Sequence, residues 1–365
     1  MTRGRFAPSP TGRMHLGNVF CALLSWLSAK SKGGEWVLRI EDLDPQRSKK
    51  DYALQLMDDL QWLDLPWDGE PVWQSQRGEI YEEYLQHLTD MGLTYPCYCT
   101  RADIMATLAP HETDGRVVYK GTCRPSTPSP LTPHRSPLTV NLSPLTATTR
   151  LIVPNNTIPF TDGHYGKHEI NLADHCGDYI IRRKDGAWAY QLAVVVDDTL
   201  MGVTEIVRGR DLLLSSPQQI HLRELLFQST ENSVQSTEYR VQMTDDLLKQ
   251  ETDSLNATSL THQTVPLRQG DERSGGGGLT AHRSPLTVNF FHHPLLCNAE
   301  GQRLCKRDKS MDLGYLRGTG ITPQEIIGKL AYLAGLTDTT TPITPSELLP
   351  LFSWKKVPTE DIILK

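Results

Sequence analysis

The residue types that could do chemistry begin in the opening stretch Arg3 to Asn18, RGRFAPSPTGRMHLGN. Arg3 to Ala7 reads as a strand, and Pro8, Pro10 and Gly12 stop regular structure. From Asn18 onward, VFCALLSWLSAK carries apolar residues at helical spacing. Asn18 is a good N-cap residue, so the expected order is strand, tight loop, helix N-terminus. That geometry aims unpaired N–H groups and the positive end of a helix dipole into the loop, where an anion fits. His15 could donate to a phosphate oxygen, and Gly17 removes a side chain where a ligand could approach the backbone. The same pattern also suits an ordinary turn with a polar cap. Neither G-x-x-x-x-G-K-[ST] nor G-x-G-x-x-G occurs in this stretch.

Further clusters lie downstream. Glu41-Asp42-Leu43-Asp44 follows the apolar run Trp36 to Ile40, so carboxylates stand at a strand end, as caps or as partners for a substrate ammonium. Cys97-Tyr98-Cys99 and Cys123 suggest zinc in a reducing compartment. The C-x-C spacing is tight and no fourth Cys or His stands at the usual distance, so zinc and free thiols remain evenly balanced. Gly177 to Asp198, GDYIIRRKDGAWAYQLAVVVDD, places two apolar runs around a turn at Lys184-Asp185-Gly186. Leu192 to Val196 reads as a buried parallel strand ending in Asp197-Asp198. Another short strand ends in Arg208. Near the far end, the basic run Arg303-Leu304-Cys305-Lys306-Arg307 follows a turn at Asn298 to Gly301.

The elements that must position these groups form an alternating pattern. The first strand, the helix after Asn18 and the strand Trp36–Ile40 make a βαβ unit with parallel strands and a right-handed crossover. Ligands bind at the carboxyl ends of such strands, so Ser9 and Glu41 are expected to face one crevice. Helices are expected from Ser48 to about Trp62 with a capping-box-like start, from Ser75 to Met91, from Ser215 to Gln228 and from Pro323 to Ala334; a strand is expected from His292 to Cys297. The Pro-rich segment 125–148 and residues 229–289, which include Gly275 to Gly278, read as low-complexity loops without core-forming periodicity. The octapeptide HRSPLTVN occurs at 134–141 and again at 282–289.

Totals narrow the field. A chain of 365 residues can bury a sizeable core in two or three subdomains. Its net charge of −6 gives no global basic character, so nucleic-acid binding would have to rest on a local face. With seven cysteines, no signal peptide and no run of about twenty apolar residues, the expected place is the cytoplasm, with no membrane contact and with cysteines reduced or metal-bound.

The stretch RFAPSPTGRMHLGN resembles the first signature of class I aminoacyl-tRNA synthetases, with His15-Leu16-Gly17-Asn18 in the place of His-Ile-Gly-His. Its flanks resemble the glutamyl branch. The resemblance implies an α/β fold, a Rossmann-like parallel sheet with a zinc-bearing insertion and a short helical C-terminal part. It implies glutamate contacts at Arg5, Phe6, Ala7, Pro8, Ser9, Glu41, Tyr190 and Arg208. It implies ATP contacts at His15, Gly17, Asn18 and Lys306, with His15 and Lys306 catalytic and Mg²⁺ accompanying the ATP. Lys306 has the spacing of the second-signature lysine after an Asn-x-x-Gly turn, Lys309 being the lesser alternative. Arg303 and Cys305 replace a Lys and a Ser of that signature.

The C-x-C…Tyr-x-x-x-Cys spacing, the GDYIIRRKDGAWAYQLAVVVDD stretch and the early end of the chain are similar to the short glutamyl-Q tRNA(Asp) synthetases. That branch implies one structural zinc on Cys97, Cys99, Tyr119 and Cys123. It also implies transfer of glutamate to queuosine in the anticodon of tRNA(Asp), by a monomer. A truncated glutamyl-tRNA synthetase charging the tRNA 3′ end is the main alternative. A nucleotidylyltransferase would share the His-x-Gly signature without the amino-acid pocket, and a non-catalytic paralogue would be expected to lose Lys306. The expected division is 1–96 and 177–228 as two halves of the catalytic domain, interrupted by 97–176 with the zinc site. An inserted loop at 229–289, the end of the catalytic domain at 290–311 and a helical remnant at 312–365 follow.

Overall fold

The computed structural model describes residues 1–106, 118–125, 147–227, 287–304 and 311–364. The expected βαβ unit is present. Strand β1 (Arg3–Phe6) leads through helix α1 (Leu16–Lys30) to β2 (Glu35–Ile40), and β1 and β2 pair in parallel. Val19, Phe20, Leu23, Leu24 and Leu27 of α1 are fully buried. Each contributes about 1.5–3 kcal/mol by leaving water. A helix of this length is marginal alone, so this packing holds it in place.

Helix α1 starts three residues earlier than an N-cap at Asn18 would place it. His15 is the N-cap, and Asn18 is the third helical residue of a reciprocal capping box. Helix α2 (Lys50–Trp62) begins after Lys49, which makes no side-chain cap bond, so the expected capping box at Ser48 does not form. The chain continues through β3 (Val72–Trp73), α3 (Gly78–Asp90), β4 (Thr94–Cys97) and α4 (Arg101–Ala106). Next come β5 (Thr148–Leu151), the hairpin β6 (Thr157–Asp162) and β7 (Gly166–Asn171), α5 (Leu172–His175) and β8 (Ile180–Arg182).

The expected strand at Leu192 to Val196 is instead part of helix α6 (Tyr190–Leu200). Leu192 through Asp198 are all buried. A helix enclosed on all sides shows no 3.6-residue period, and a short apolar run then looks the same as a core strand. The turn at Lys184 to Gly186 does form, with Arg183 N–H donating to Ala187 O at 2.9 Å, but it leads into α6 rather than a second long strand. Strand β9 (Glu205–Gly209) and helix α7 (Ser216–Phe227) follow as expected within a residue or two.

After residues 228–286 the chain forms β10 (Asn289–His293) and the two-residue β11 (Leu296–Cys297), so the single strand expected there is split by Pro294. Asn289, expected to close the insertion, is already paired with Glu205 in the main sheet. That sheet has the order β3-β2-β1-β9-β10-β6-β7, parallel except for the β6–β7 hairpin. A small antiparallel sheet, β4-β5-β8, stands apart from it.

The tail holds more than one helix. It forms α8 (Leu313–Gly318), α9 (Pro323–Leu333), α10 (Pro345–Leu348) and β12 (Ile362–Ile363), which pairs with β11. Trp354 stacks on Phe291 with ring centroids 5.0 Å apart and donates to Ser28 Oγ at 2.9 Å. The tail therefore completes the core against α1 and β10.

Candidate active site

Strand order reverses between β1 and β9, which run parallel: β2 and β3 extend the sheet to one side of β1, and β9 and β10 to the other. A crevice at the carboxyl ends of strands, beside such a switch point, is where open α/β sheets bind ligands. Glu41 N–H donates to Pro8 O at 3.0 Å, which places the Ser9 and Glu41 segments side by side at that edge. Ser9 is exposed there.

Beneath the edge is a buried polar group. Arg5 on β1 donates from Nη1 to Val207 O at 3.1 Å and lies 3.5 Å from Asp198. Arg39 on β2 is fully enclosed, 2.6 Å from Asp198 Oδ1 and 3.1 Å from Glu41 Oε1. Burial pushes the Asp198 carboxyl up, but Arg39 and Arg5 outweigh it and hold it below the usual carboxylate range. For Glu41 burial wins against Arg39, and its pKa is raised.

Tyr190 stands at the first turn of α6 with 36% of its surface exposed, while its hydroxyl reaches toward Arg208. Burial and nearby Glu41 push that phenol up, with Arg208 and Arg5 opposing. Arg5, Glu41, Tyr190 and Arg208 are thus brought to one place. Asp197 also pairs with Arg39 at 3.9 Å and with Arg77 at 2.6 Å, so four guanidiniums (Arg5, Arg39, Arg77, Arg208) against three carboxylates (Glu41, Asp197, Asp198) leave one positive charge in excess. That balance suits a small dicarboxylate carrying one ammonium.

Phe6 is different. Its ring is buried in the core and stacked on Trp36 at 5.9 Å, so its side chain packs the strand rather than facing the crevice. Ala7 and Pro8 lie at the edge through the backbone that bonds Glu41.

The residues that sequence reasoning passed over are Arg39, Asp162, Ser216, Gln219 and His292; Asp198 was noted there only as an acid at an expected strand end. Arg39 carried a readable signal, a lone charge inside the apolar strand Trp36–Ile40, because buried charges need partners. Ser216 and Gln219 did not: their role depends on where α7 meets β9.

At the start of α1, Gly17 N–H donates to His15 Nδ1 at 3.1 Å and His15 N–H donates to Asn18 Oδ1 at 3.2 Å. With Nδ1 accepting, the ring proton sits on Nε2, the edge suited to a phosphate oxygen. A Cβ on Gly17 would lie 3.0 Å from the His15 ring, so glycine here clears the imidazole itself.

Lys306, with Cys305 and Lys309, lies outside the described residues, but both neighbours of that segment are fixed. Leu304 is buried, bonds Leu296 O at 2.9 Å and approaches Gly17. Arg303 pairs with Asp211. On the far side, Asp312 bridges His15 and Leu313 N–H donates to Met14 O at 2.9 Å. Leu304 and Asp312 therefore both lie at the α1 N-terminus.

In the small subdomain, the sulfurs of Cys97, Cys99 and Cys123 lie within 4.8 Å of one another. Tetrahedral thiolates around zinc are separated by about 3.8 Å, so the cluster can hold a metal such as zinc with small adjustment. The Tyr119 hydroxyl oxygen is 3.4 Å from Cys97 Sγ and 4.0 Å from Cys99 Sγ, and accepts from Cys123 N–H at 2.7 Å.

This parallel sheet, with its polar crevice at the switch point and a histidine-capped helix beside it, is the catalytic fold of a class I tRNA synthetase. Residues 1–263 match the family described as tRNA synthetases class I (E and Q), catalytic domain, and the chain belongs to that family. The glutamyl-Q tRNA(Asp) synthetase of Symbiobacterium thermophilum is 36% identical over 372 residues, covering 99% of this chain and 95% of the relative. The glutamyl-Q tRNA(Asp) synthetase of Neisseria meningitidis serogroup C is 45% identical over 226 residues, covering 62% of this chain and 72% of the relative. The structure of a glutamate tRNA ligase from Elizabethkingia meningosepticum shares the fold, with a TM-score of 0.67 at 23% identity, covering all of this chain and 67% of that one. Among the described residues no helix is long and apolar enough to cross a membrane.

Proposed function

We propose that this chain activates glutamate with ATP and transfers it to queuosine at the wobble position of tRNA(Asp). The observation that carries the reading is the crevice between β1 and β9, where Arg5, Glu41, Tyr190 and Arg208 meet with one positive charge in excess. The family membership and the near-complete coverage of a glutamyl-Q relative support the same reading.

In this reading the guanidiniums of Arg5 and Arg208 take the carboxylates of glutamate, and Glu41 and Tyr190 frame its ammonium. The α-carboxylate oxygen attacks the α-phosphorus of ATP. An O–P bond forms, the bond to pyrophosphate breaks, and glutamyl-adenylate results. His15 Nε2–H and the N-terminal amides of α1, with Gly17 and Asn18, hold phosphate oxygens. Lys306 neutralises charge developing on the departing pyrophosphate. Mg²⁺ accompanies the nucleotide, and no protein nucleophile takes part. In the second step a hydroxyl of the queuosine ring attacks the acyl carbon and AMP leaves. RNA loops expose unstacked bases that such a crevice can receive.

One zinc on Cys97, Cys99, Cys123 and Tyr119 would cross-link the small subdomain, which has only a minor core of its own around Tyr95 and Ile152. The protein acts as a cytoplasmic monomer.

The test is glutamate-dependent ATP–pyrophosphate exchange without tRNA, then mapping of labelled glutamate on tRNA. Labelling should require queuosine-containing tRNA(Asp) and survive enzymatic removal of the 3′-terminal adenosine. Labelling that vanishes with that adenosine would make the protein a short glutamyl-tRNA synthetase.

A further inference from the structure

Arg208 is held in an unusual way for a buried cation. It is 4% exposed, yet among the described residues no carboxylate forms an ion pair with it. Its Nε donates to His292 Nε2 at 3.0 Å, Nη1 to Gln219 Oε1 at 2.8 Å and Nη2 to Ser216 Oγ at 2.9 Å. All three acceptors are neutral. A guanidinium has five N–H donors, so two remain for the crevice that holds Tyr190.

Behind His292 stands an anion. His292 Nδ1 lies 2.6 Å from Asp162 Oδ2, and both side chains are fully enclosed. The other oxygen, Asp162 Oδ1, accepts from the backbone N–H groups of His164 at 3.0 Å and Tyr165 at 2.8 Å. The three residues sit on adjacent strands β9, β10 and β6, with Arg208 and His292 directly opposite in register.

The two contacts settle the imidazole. Nδ1 faces a carboxylate and must carry the proton; Nε2 faces an N–H donor and must be bare. Burial keeps the ring neutral by holding its pKa at about 4. The neutral ring separates Asp162 from Arg208. A direct ion pair would compete with a substrate carboxylate, whereas a hydrogen-bonded spacer orients the guanidinium and leaves its charge available.

We propose that Asp162 and His292 are positioning residues for substrate selection, holding Arg208 aimed and unpaired for a carboxylate of the amino acid through a fixed Nδ1–H tautomer of His292. The proposal rests on the reading of Arg208 as a glutamate contact.

Asp162→Asn is the informative variant. Its oxygen must stay where the two backbone donors point, which puts its NH₂ group against His292 Nδ1. The imidazole then moves its proton to Nε2, and that proton meets the Arg208 Nε–H. In ATP–pyrophosphate exchange with the full chain, KM for glutamate should rise about tenfold or more, with KM for ATP and kcat at saturating glutamate within about twofold. Arg208→Gln is measured in parallel. An unchanged glutamate KM in Arg208→Gln would remove the reading of Arg208 itself. A raised KM there with an unchanged KM in Asp162→Asn would overturn the positioning role alone, as would a uniform loss of kcat without selective loss of glutamate affinity. Nitrogen-15 NMR of the unmodified protein, with the His292 signal assigned by its loss in His292→Gln, stands even where Asp162→Asn does not fold. A neutral Nδ1–H ring at pH 7 is expected; an imidazolium or an Nε2–H ring would sink the proposal.

Discussion

His15 and Asp312, almost three hundred positions apart, lie opposite each other in an antiparallel bridge. The bridge fastens the cap of α1 to Asp312, two residues after segment 305–310. Asp312 also caps α8, its Oδ1 accepting from Gly314 and Tyr315 N–H at 2.9 and 3.1 Å. The contact joins two stretches that are far apart in the chain.

Lys306→Ala should lower ATP–pyrophosphate exchange by about two to three orders of magnitude, the usual loss for a transition-state charge donor. Lys309→Ala should cost much less. The reverse ranking would shift the second signature by three residues.

Asp312→Ala removes a helix cap worth about 1 kcal/mol and loosens one tether of the lysine segment. A lower unfolding midpoint should come with a several-fold loss of exchange. A stability loss with full activity would mean that the bridge does not set the segment's position.

Protein purified without added metal should contain one zinc per chain, and Cys97→Ser or Cys123→Ser should abolish retention. Tyr119→Phe should weaken it less, because three thiolates remain. Metal analysis with thiol titration checks this; freely reactive thiols in metal-free, native protein would end the metal reading.

Stability should fall as pH drops from about 6.5 toward 4. Burial holds His221, His292 and His293 at about 4, below the ordinary 6.5. Their unfolded forms therefore bind protons first, and each shift costs on the order of 2 kcal/mol by pH 5. Around them, His292 faces Asp162 and Arg208, and His293 faces the Pro294 carbonyl, Arg303 and His164. Asp162 and Asp198, held below the usual carboxylate range, add stability that is lost only at still lower pH. Denaturant midpoints at pH 7 and 5 measure the difference; equal midpoints would contradict the burial of these rings.

Replacing 229–286 with a short Gly/Ser linker should leave exchange within a few-fold. Loop-closure cost grows slowly with length, and Glu224 and Thr287, on either side of the segment, line one cavity of about 340 Å³. The replacement must stop before Asn289, which β10 uses. An insoluble or inactive product would give the segment a structural part.

Local order alone determined much of this protein. The run of prolines and Gly12 between an apolar strand and VFCALLSWLSAK dictated strand, loop and helix. The spacing of Cys97, Cys99 and Cys123 raised a metal cluster as an even alternative to free thiols, and their sulfurs do converge. Such features depend on neighbours in sequence, where steric and hydrogen-bond rules act directly.

Tertiary structure decided the rest. Leu192 to Val196 became helical because packing encloses every side of α6, erasing the period that would have distinguished it from a strand. Phe6 turned into the core because strand alternation, once β1 lay between β2 and β9, sent its ring to Trp36. Asp162, His292 and Arg208 became one hydrogen-bonded line only when β6, β10 and β9 were laid side by side. Separations of 84 and 130 residues carry no local signal; strand pairing and the need to satisfy buried polar atoms bring those groups together.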